Sequence, residues 1–446
     1  MSQYQILSKD YLLRKKANNK YILYNKRKSV VYTISPKLFN FLYLYKEGNF
    51  NLDIMLQYLS KQGIAIDDLV EFINNKDFSE IFIPVSKMEK VDSIYKYIPH
   101  ISSYTEYTPE RIDFLITKHC NLKCKHCFEN ASPTIKNGKI ALEDLFNVFN
   151  QMDLLNVRTL KITGGEPLTY PNIKDILKEI SNKRFECIIL TNAMLLDEEL
   201  IDIISEGAIK LGISLDGYKK QSHDFLRGKG AFDILMQKLY ELKKAKANVS
   251  ITMSVNRINY LEIEELSKFA IEELGVQRVF INQLKPLGRA KTNDNIFLSD
   301  TEYKDVINRV EKLVNLYGNG KITLSDDALL SEEYTIKNDA PISNDTPLVC
   351  AAGNNSISID ENLDVYPCVY GNGFSEFNMG NLKTESLSDI WLSDKWSIFR
   401  GKTTLGEIEG CKDCKNNKIC GMKNCRLKPI YNGQSFYTHV SYCNKK

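Results

Sequence analysis

The sequence predicts an α/β protein whose centre is a partial (β/α)6 TIM-like barrel, with an α+β domain before it and a cysteine-rich domain after it. Three observations predict this arrangement. The chain has 446 residues, enough for two to four domains at about 100–200 residues each. Strand and helix patterns alternate between residues 110 and about 290, as they do in parallel sheets. Ten of the eleven cysteines fall into two short-spaced groups, which begin at Cys120 and Cys350.

The composition bounds the class of protein. Hydrophobic residues make up 43% and charged residues 26%, so a sizeable core is expected and disorder is not. The net charge of +3 gives no reason to expect a nucleic acid or a membrane surface as partner. No run reaches the ~18 apolar residues of a spanning helix, and the first residues show no signal-peptide pattern. The expected location is therefore the cytoplasm.

Residues 1–90 contain no cysteine and predict a small α+β domain. Segments rich in β-branched and aromatic residues predict strands at residues 11–15, 20–24 and 30–34. Ser35 then precedes Pro36, a combination typical of a helix start. Three helical patterns follow, over residues 36–45, 52–61 and 67–74. This β-β-β-α-α-α unit is large enough to fold alone, and residues 91–108 are interpreted as a linker.

Residues 109–325 predict the partial barrel. The candidate strands cover residues 111–117, 157–162, 186–190, 208–214, 249–255 and 277–282. Amphipathic helices separate them, for example at residues 142–155 and 172–180, and the polar stretch 290–345 predicts one or two more. Active sites of such barrels gather at the C-terminal ends of the strands.

The third domain is expected to cover residues 326–446. The chain after residue 350 is rich in Gly, Asn and Cys, which predicts a domain held by metal rather than by a large core. Without an export signal, the eleven cysteines are expected to be reduced, and clustered thiols in a reducing compartment indicate metal ligands. The exception is Cys187, which lies in a predicted strand and is expected to belong to the core.

Cys120, Cys124 and Cys127 follow the first barrel strand with the spacing C-x3-C-x2-C. Three thiolates leave one iron of a [4Fe–4S] cube without a protein ligand, whereas a closed structural site uses four. An open iron can take a substrate or a cofactor. The alternative is a structural zinc site with His119 or His126 as the fourth ligand.

The triplet resembles the cluster-binding motif of the radical S-adenosylmethionine (SAM) family. The resemblance implies that the open iron chelates the amino and carboxylate groups of SAM. One electron, from a donor such as flavodoxin or ferredoxin, then cleaves the cofactor to a 5′-deoxyadenosyl radical, which abstracts hydrogen from the substrate. The cofactors carry this chemistry, and the protein supplies orientation and exclusion of water.

Further residues match the same family. Gly164, Gly165 and Glu166, at the end of the second strand, are similar to its GGEP motif, which binds the methionine amino group. Ser214, at the end of the fourth strand, is carried over as a cofactor contact. Arg227 is the candidate for the SAM carboxylate. An ordinary tight turn and a solvated surface arginine are the respective alternatives for the GGEP segment and for Arg227.

Two further positions are implied by the family pattern. His126 stands where the family usually has an aromatic residue near the adenine. Thr191 and Asn192, at the end of the third strand, are expected to line the same pocket. No general base stands out, although His223 and Tyr366 are conceivable, and no catalytic residue is assigned beyond the cluster ligands.

The C-terminal cysteines resemble the SPASM domain, an extension of radical SAM enzymes that carries auxiliary iron–sulfur clusters. The resemblance implies one complete [4Fe–4S] cluster on Cys411, Cys414, Cys420 and Cys443. It implies a second on Cys350, Cys368 and Cys425, which leaves an iron open to a substrate thiolate. With the triplet, the implied total is three clusters. The gap before Cys425 is four residues where the family has three, which we interpret as a loop insertion. Alternatives are a non-cysteine ligand, a solvent-capped iron, or zinc knuckles at residues 411–425.

The N-terminal domain resembles the winged-helix-like peptide-recognition element of ribosomal-peptide maturases. Such a domain captures a leader peptide as an added strand, here expected at residues 29–35 with residues 67–75 as groove wall. The alternative is a stabilising or dimerising appendage.

The order of recognition element, barrel and SPASM domain is typical of enzymes that modify a ribosomally made precursor peptide (RiPP maturation). Thioether formation at Cys fits an open auxiliary cluster best. The alternatives are carbon–carbon crosslinking, residue oxidation like that of sulfatase-maturing enzymes, and a zinc-stabilised peptide-binding carrier without turnover.

Overall fold

The parallel sheet predicted for the centre of the chain is present in the computed structural model of the protein. The structure describes residues 108–138, 140–325, 347–349 and 351–410, together with shorter stretches at residues 5–7, 10–15, 21–28, 30–36, 38, 39, 42, 82–84, 427–431 and 433–438. The chain divides into two units. The first comprises Met1–Glu110, Asn147–Arg158 and Asn182–Glu186, and the second comprises the rest.

The first unit contains the predicted antiparallel sheet, in the order β2 (Tyr11–Lys15), β3 (Tyr21–Asn25) and β4 (Val30–Ile34). The backbone N–H of Leu38 donates to Ser35 Oγ at 3.2 Å, so Ser35 caps a helical segment as predicted. A second pair, β1 (Gln5–Leu7) and β5 (Phe82–Pro84), was not predicted. The helical patterns at residues 52–61 and 67–74 lie outside the described residues.

A buried arginine ties β2 to other segments of the first unit. Arg14, 7% exposed, donates to the carbonyl oxygens of Thr108, Pro109 and Asn156 at 2.7, 3.2 and 3.0 Å. Burial lowers the pKa of Arg14 to about 10, and these acceptors compensate for its lost hydration.

Within the described residues, the second unit is built on a ten-stranded sheet of order β12-β11-β10-β9-β8-β7-β6-β14-β15-β16. In this order β14 is Ser356–Ile359, β15 is Asp364–Tyr366 and β16 is Gly380–Asn381. β6 and β7 pair in parallel, as do consecutive strands from β8 to β12. The barrel strands are β6 (Arg111–Thr117), β7 (Thr159–Gly164), β8 (Glu186–Thr191), β9 (Lys210–Ser214), β10 (Val249–Val255), β11 (Val279–Gln283) and β12 (Ile322–Ser325). The expected α/β barrel is therefore confirmed, with β12 as a further parallel strand.

Three barrel strands, β7, β9 and β11, begin two residues later than predicted, and the backbone conformation of a preceding residue explains the first two. Asn156 and Ala208 both have a φ of 54°. Asn156 directly precedes the predicted strand 157–162, and Ala208 is the first residue of the predicted strand 208–214. A residue in the left-handed region ends the preceding helix and cannot continue a strand. β7 therefore begins at Thr159 and β9 at Lys210.

Helices alternate with the barrel strands along the chain. They are α1 (Leu142–Leu154), α2 (Ile173–Ser181), α3 (Glu198–Glu206), α4 (Lys220–Arg227), α5 (Ala231–Lys244), α6 (Ile263–Lys268) and α7 (Asp300–Tyr317). A capping box of Ser299 and Glu302 starts α7, the helix expected in the polar stretch after residue 290. In the part of the chain that is described, no helix is long and apolar enough to cross a membrane.

The C-terminal part of the second unit continues the sheet. β14 (Ser356–Ile359) pairs in parallel with β6, and β15 (Asp364–Tyr366) and β16 (Gly380–Asn381) follow in antiparallel pairing. The other elements are β13 (Pro347–Val349), α8 (Leu387–Leu392), β17 (Arg400–Thr404) and α9 (Lys428–Tyr431).

The described residues of this part contain an aromatic cluster. Trp391 and Trp396 lie 5.6 Å apart between ring centroids, and the Arg400 guanidinium stacks 4.2 Å from the centroid of Trp391. Phe377 and Phe399 extend this aromatic cluster. Six of the seven cysteines in this part, all except Cys368, lie outside the described residues.

Candidate functional site

The three predicted cluster cysteines line one cavity at the C-terminal end of the barrel strands. Cys120 and Cys124 are buried and Cys127 is half-buried, and the cavity has a volume of about 250 Å³. The loop is ordered by its own backbone: Cys120 N–H donates to Ser132 O at 3.3 Å, and Leu122 N–H donates to Cys120 Sγ at 3.4 Å. The structure therefore brings together the thiols that the spacing singled out.

The number of these thiols fits a [4Fe–4S] cluster with one open corner, because three cysteine thiolates leave one iron of the cube without a protein ligand. Among the described residues, no group of three or more His, Cys, Asp or Glu side chains is arranged to bind a single metal ion.

Two thiols of this loop, those of Cys120 and Cys124, are held in their protonated form when no metal is bound to them. Burial raises the pKa of Cys120 to about 12. Burial also raises the pKa of Cys124, although the nearby Arg227 guanidinium acts in the opposite direction. Metal binding at this loop must therefore release protons.

The two glycines of the GGEP segment let β7 approach the cysteine loop. A Cβ atom on Gly164 would lie 2.2 Å from Thr117 O, and one on Gly165 would lie 2.0 Å from His119 O. Gly165 N–H donates to Thr117 O at 2.6 Å, and Glu166 N–H donates to His119 O at 2.9 Å. Because no side chain fits in these gaps, the glycines are required by contact with the cysteine loop itself.

Glu166 joins the ends of β7 and β8 at the cavity. It is 1% exposed, and burial raises the pKa of its carboxyl group. Its oxygens accept hydrogen bonds from Leu168 N–H (3.0 Å), Thr191 Oγ1 (2.7 Å) and Asn192 N–H (2.8 Å). Thr191 and Asn192 line the same cavity, as expected.

A buried aspartate that the sequence analysis missed organises the opposite side of the cavity. Asp216 is fully buried, and its Oδ2 lies 2.6 Å from Arg227 Nε and 3.3 Å from His126 Nε2. Its Oδ1 accepts from Ser254 N–H at 2.7 Å. Burial opposes ionisation, but the Arg227 guanidinium holds the pKa of Asp216 below its usual value.

Arg227 and His126 both border the cavity, but each is engaged by Asp216. The Arg227 side chain is 10% exposed, so a solvated surface arginine is ruled out. Burial lowers the pKa of His126 to about 4, which leaves a neutral ring. Its Nδ1 is buried without a hydrogen-bond partner in the described part of the chain, an acceptor of the kind that a bound ligand satisfies.

Ser214 also lines the cavity, at the end of β9 as predicted. Further polar side chains reach it from the next two strands, and these were not predicted: Thr252, Ser254, Asn282 and Gln283. Thr252 and Ser254 follow from the alternation of side chains along β10, which the sequence analysis did not extend to the cavity. Asn282 and Gln283 are the last two residues of β11, where the strand ends at the cavity.

The two conceivable bases do not line the cavity. His223 is 1% exposed, its Nδ1 accepts from Asp216 N–H at 3.2 Å, and burial lowers its pKa to about 4. Tyr366 is 5% exposed, and burial raises its pKa. Cys368, just after β15, is half-buried, and Cys187 is buried on β8 as expected for a core thiol.

Comparisons with known proteins agree with this geometry. Residues 114–270 match the model of the radical SAM superfamily, and residues 350–415 match that of the SPASM iron–sulfur cluster-binding domain. An AdoMet-dependent heme synthase of Methanosarcina barkeri is 24% identical over 75% of this chain and 96% of the synthase. The subtilosin biosynthesis protein AlbA of Bacillus subtilis is 27% identical over 72% of this chain and 68% of AlbA.

A solved structure extends the likeness in fold. Streptococcus suis SuiB, crystallised with its precursor peptide SuiA, superposes with a TM-score of 0.75 at 19% identity. The superposition covers 99% of this chain and 100% of SuiB.

Proposed function

We propose that this chain, a radical SAM enzyme with an iron–sulfur SPASM domain, modifies a ribosomally made precursor peptide and forms thioether links at its cysteines. The observation that carries the proposal is the likeness in fold to SuiB, a protein solved with its precursor peptide, over 99% of this chain. At that coverage the likeness includes the N-terminal segment as well as the barrel. AlbA, which serves the biosynthesis of a bacteriocin, supports the same class of substrate.

The cavity residues fit the cofactors of such an enzyme. Cys120, Cys124 and Cys127 would hold three corners of a [4Fe–4S] cluster, and the fourth corner would take SAM. When bound and reduced, this pair supplies a 5′-deoxyadenosyl radical that abstracts hydrogen. Gly164 and Gly165 would keep the GGEP backbone beside the cofactor, since they hold it against the cysteine loop.

The opposite side of the cavity would orient the cofactor. Asp216 holds Nε of Arg227, which leaves the other guanidinium nitrogens to meet the carboxylate of SAM. Ser214 would donate to the same cofactor from the end of β9. The neutral His126 ring, fixed by Asp216, would lie beside the adenine. Glu166 would hold β7 and β8 at the spacing that this pocket requires.

The leader peptide would bind at β4. Among the described strands, β4 is an edge of the three-stranded sheet β2-β3-β4, and Val30 and Val31 are 38% and 46% exposed. An exposed edge offers unpaired backbone groups to an extended peptide, and exposed valines offer apolar contact to alternate side chains. The groove wall expected at residues 67–75 lies outside the described residues.

The thioether assignment rests on the auxiliary cysteines. Cys411, Cys414, Cys420 and Cys443 would hold a complete cluster, and Cys350, Cys368 and Cys425 one with an open iron for a peptide thiolate. Each link removes a proton from the thiol and a hydrogen atom from the acceptor carbon. Formation of the sulfur–carbon bond also releases one electron, and accepting it is the chemistry that the auxiliary clusters would supply. The second proposed partner, beside the precursor peptide, is an electron donor such as flavodoxin or ferredoxin, which would reduce the cluster at Cys120, Cys124 and Cys127.

The heme synthase relatives favour a second candidate, chemistry on a tetrapyrrole. These relatives align with 70–75% of this chain and AlbA with 72%, so coverage does not separate the two groups of relatives. The likeness in fold to SuiB, which spans 99% of the chain, is what favours the peptide substrate.

The decisive experiment is mass spectrometry of a short Cys-containing peptide encoded beside the gene, after anaerobic co-expression. A loss of two hydrogens per link that also blocks thiol alkylation supports the thioether. The same mass loss with free thiols would favour a carbon–carbon crosslink. An unmodified peptide, together with conversion of a porphyrin, would favour the second candidate.

Metal analysis separates an enzyme from a carrier. Three [4Fe–4S] clusters predict about 12 iron per chain, whereas a zinc-stabilised carrier predicts about two to four zinc and no cleavage of SAM. Changing Cys120, Cys124 and Cys127 to Ala should abolish 5′-deoxyadenosine formation while leader binding remains.

A further inference from the structure

A second loop clamps the cysteine loop from the side of β11. Arg289 Nε donates to Cys124 O at 2.8 Å, and Arg289 Nη2 donates to Ala131 O at 2.7 Å. The backbone N–H of the same residue donates to Cys127 O at 2.9 Å. One residue thus engages three carbonyl groups spread along the cysteine loop.

Gly288 allows this close approach. It has a φ of 53°, and a Cβ atom there would lie 2.3 Å from Phe128 O and 2.4 Å from Cys127 O. Both the backbone conformation and the contact therefore exclude a side chain at this position. Gly288 and Arg289 act together: the glycine admits the backbone, and the arginine then forms the hydrogen bonds.

The charge of Arg289 is directed at the loop rather than at a carboxylate. Arg289 lines the cavity, and its side-chain hydrogen bonds go to two backbone carbonyl oxygens, those of Cys124 and Ala131. Arg227, the other arginine of the cavity, is paired with Asp216 at 2.6 Å. A guanidinium is suited to this task, because its planar fork can bridge two carbonyl groups and an ammonium cannot do so with the same geometry.

We infer that Arg289 is a positioning residue that holds the cysteine loop in its metal-binding conformation before the cluster is inserted. The inference rests on the proposed cluster at Cys120, Cys124 and Cys127. A loop ordered in advance loses less conformational entropy when its thiolates bind, so the cluster is retained more strongly. Removal of the clamp should make the loop mobile and the cluster labile.

The test compares wild type with Arg289→Gln, Arg289→Ala and Arg289→Lys as full-length, reconstituted proteins. An iron chelator is added, and the SAM-responsive electron paramagnetic resonance signal is followed with time. We expect a half-life about tenfold shorter for Arg289→Gln and Arg289→Ala, since two charge-assisted hydrogen bonds are lost. Arg289→Lys should be intermediate, and added guanidinium ion should lengthen the half-life of Arg289→Ala only.

Amide hydrogen exchange of the metal-free proteins gives an independent readout. Exchange in residues 120–131 should be about tenfold faster in Arg289→Gln than in wild type, because the carbonyl clamp that restrains this segment is absent. The remaining barrel segments should exchange at unchanged rates.

Arg278→Gln is the matched control. Arg278 Nε also donates to a backbone carbonyl, that of Gly320 at 2.8 Å, but outside the cysteine loop. Its loss should leave both readouts at the wild-type value.

Equal chelation and exchange rates in wild type and Arg289→Gln would overturn the role of Arg289. Faster exchange throughout the barrel would also overturn it, since the effect would then be general destabilisation. A wild-type protein without a SAM-responsive signal would instead count against the proposed function, and the exchange experiment would still decide the role of Arg289.

Discussion

Arg227 Nε lies 2.6 Å from Oδ2 of Asp216, a carboxylate without solvent exposure. This pair sits between the ends of β9 and β10, since Ser254 N–H holds the other carboxylate oxygen. Asp216 therefore has two roles: one carboxylate oxygen fixes the backbone at the end of β10, and the other fixes Arg227, the arginine that we propose binds the carboxylate of SAM.

Asp216→Asn should destabilise the metal-free protein by roughly 3–5 kcal/mol, because it leaves a buried guanidinium without its counter-ion. Urea unfolding of the metal-free chain measures the effect. Asp233→Asn is the control, since Asp233 pairs with Lys220 at the surface and should contribute about 1 kcal/mol or less. Similar losses for the two variants would contradict the special position of Asp216.

Gly165→Ala should prevent assembly of the cluster site. The added methyl group would stand 2.0 Å from His119 O, which forces the cysteine loop and the GGEP segment apart. Iron content and SAM binding after reconstitution report the effect, and we expect at least a tenfold loss of SAM affinity. Gly320→Ala should behave as wild type, because a Cβ atom there meets nothing within 4 Å. Normal SAM binding by Gly165→Ala would show that the two segments can separate without harm.

Val31→Glu should weaken binding of the leader peptide by about tenfold without unfolding the protein. Val31 is 46% exposed on the edge strand β4, so the charge is tolerated in the free protein but opposes an apolar peptide contact. Fluorescence anisotropy with a labelled leader peptide measures the affinity. Leu316→Glu, at a 71% exposed position of α7, is the matched control. Unchanged affinity for Val31→Glu would place the leader elsewhere.

The stability of the metal-free protein should decrease as the pH falls from about 6.5 towards 4. Burial lowers the pKa of His223 from 6.5 to about 4, so the unfolded chain takes up this proton first. The contribution is complete above the unfolded pKa and is lost as the pH falls through the folded value. His223→Asn keeps an acceptor for Asp216 N–H but cannot titrate, so its unfolding free energy should depend less steeply on pH. An identical pH slope would assign the proton to another group.

Local patterns in the sequence were sufficient for the barrel and for the three thiols. The strands have β-branched runs, and the triplet spans few residues, so both signals are contained in short windows. The pair β1 and β5 escaped prediction because each strand has only three residues and its partner lies far along the chain. Such strands carry no periodicity of their own.

Asp216 and Arg289 escaped for a related reason. Asp216 stands two residues after Ser214, in a segment already singled out, but only the fold shows that Arg227 and His126 meet there. Arg289 acts on carbonyl groups, which every residue possesses, so no side-chain pattern marks its targets. The only feature of the sequence that could have drawn attention to Arg289 is Gly288 directly before it, a residue type that permits the φ of 53° found in the structure.

The hydrogen-bonded pairing of β14 with β6 has a consequence for dissecting the protein. Arg111 to Phe114 are matched with Ser356 to Ile359, so the cysteine-rich portion supplies the neighbour of the first barrel strand. A shortened chain that ends before residue 350 would lack β14, so one side of β6 would have unpaired backbone N–H and C=O groups, which favours self-association. When C-terminal portions are exchanged between such proteins, the exchanged portion therefore has to include β14. The junction should lie before the first residue of β14, Ser356.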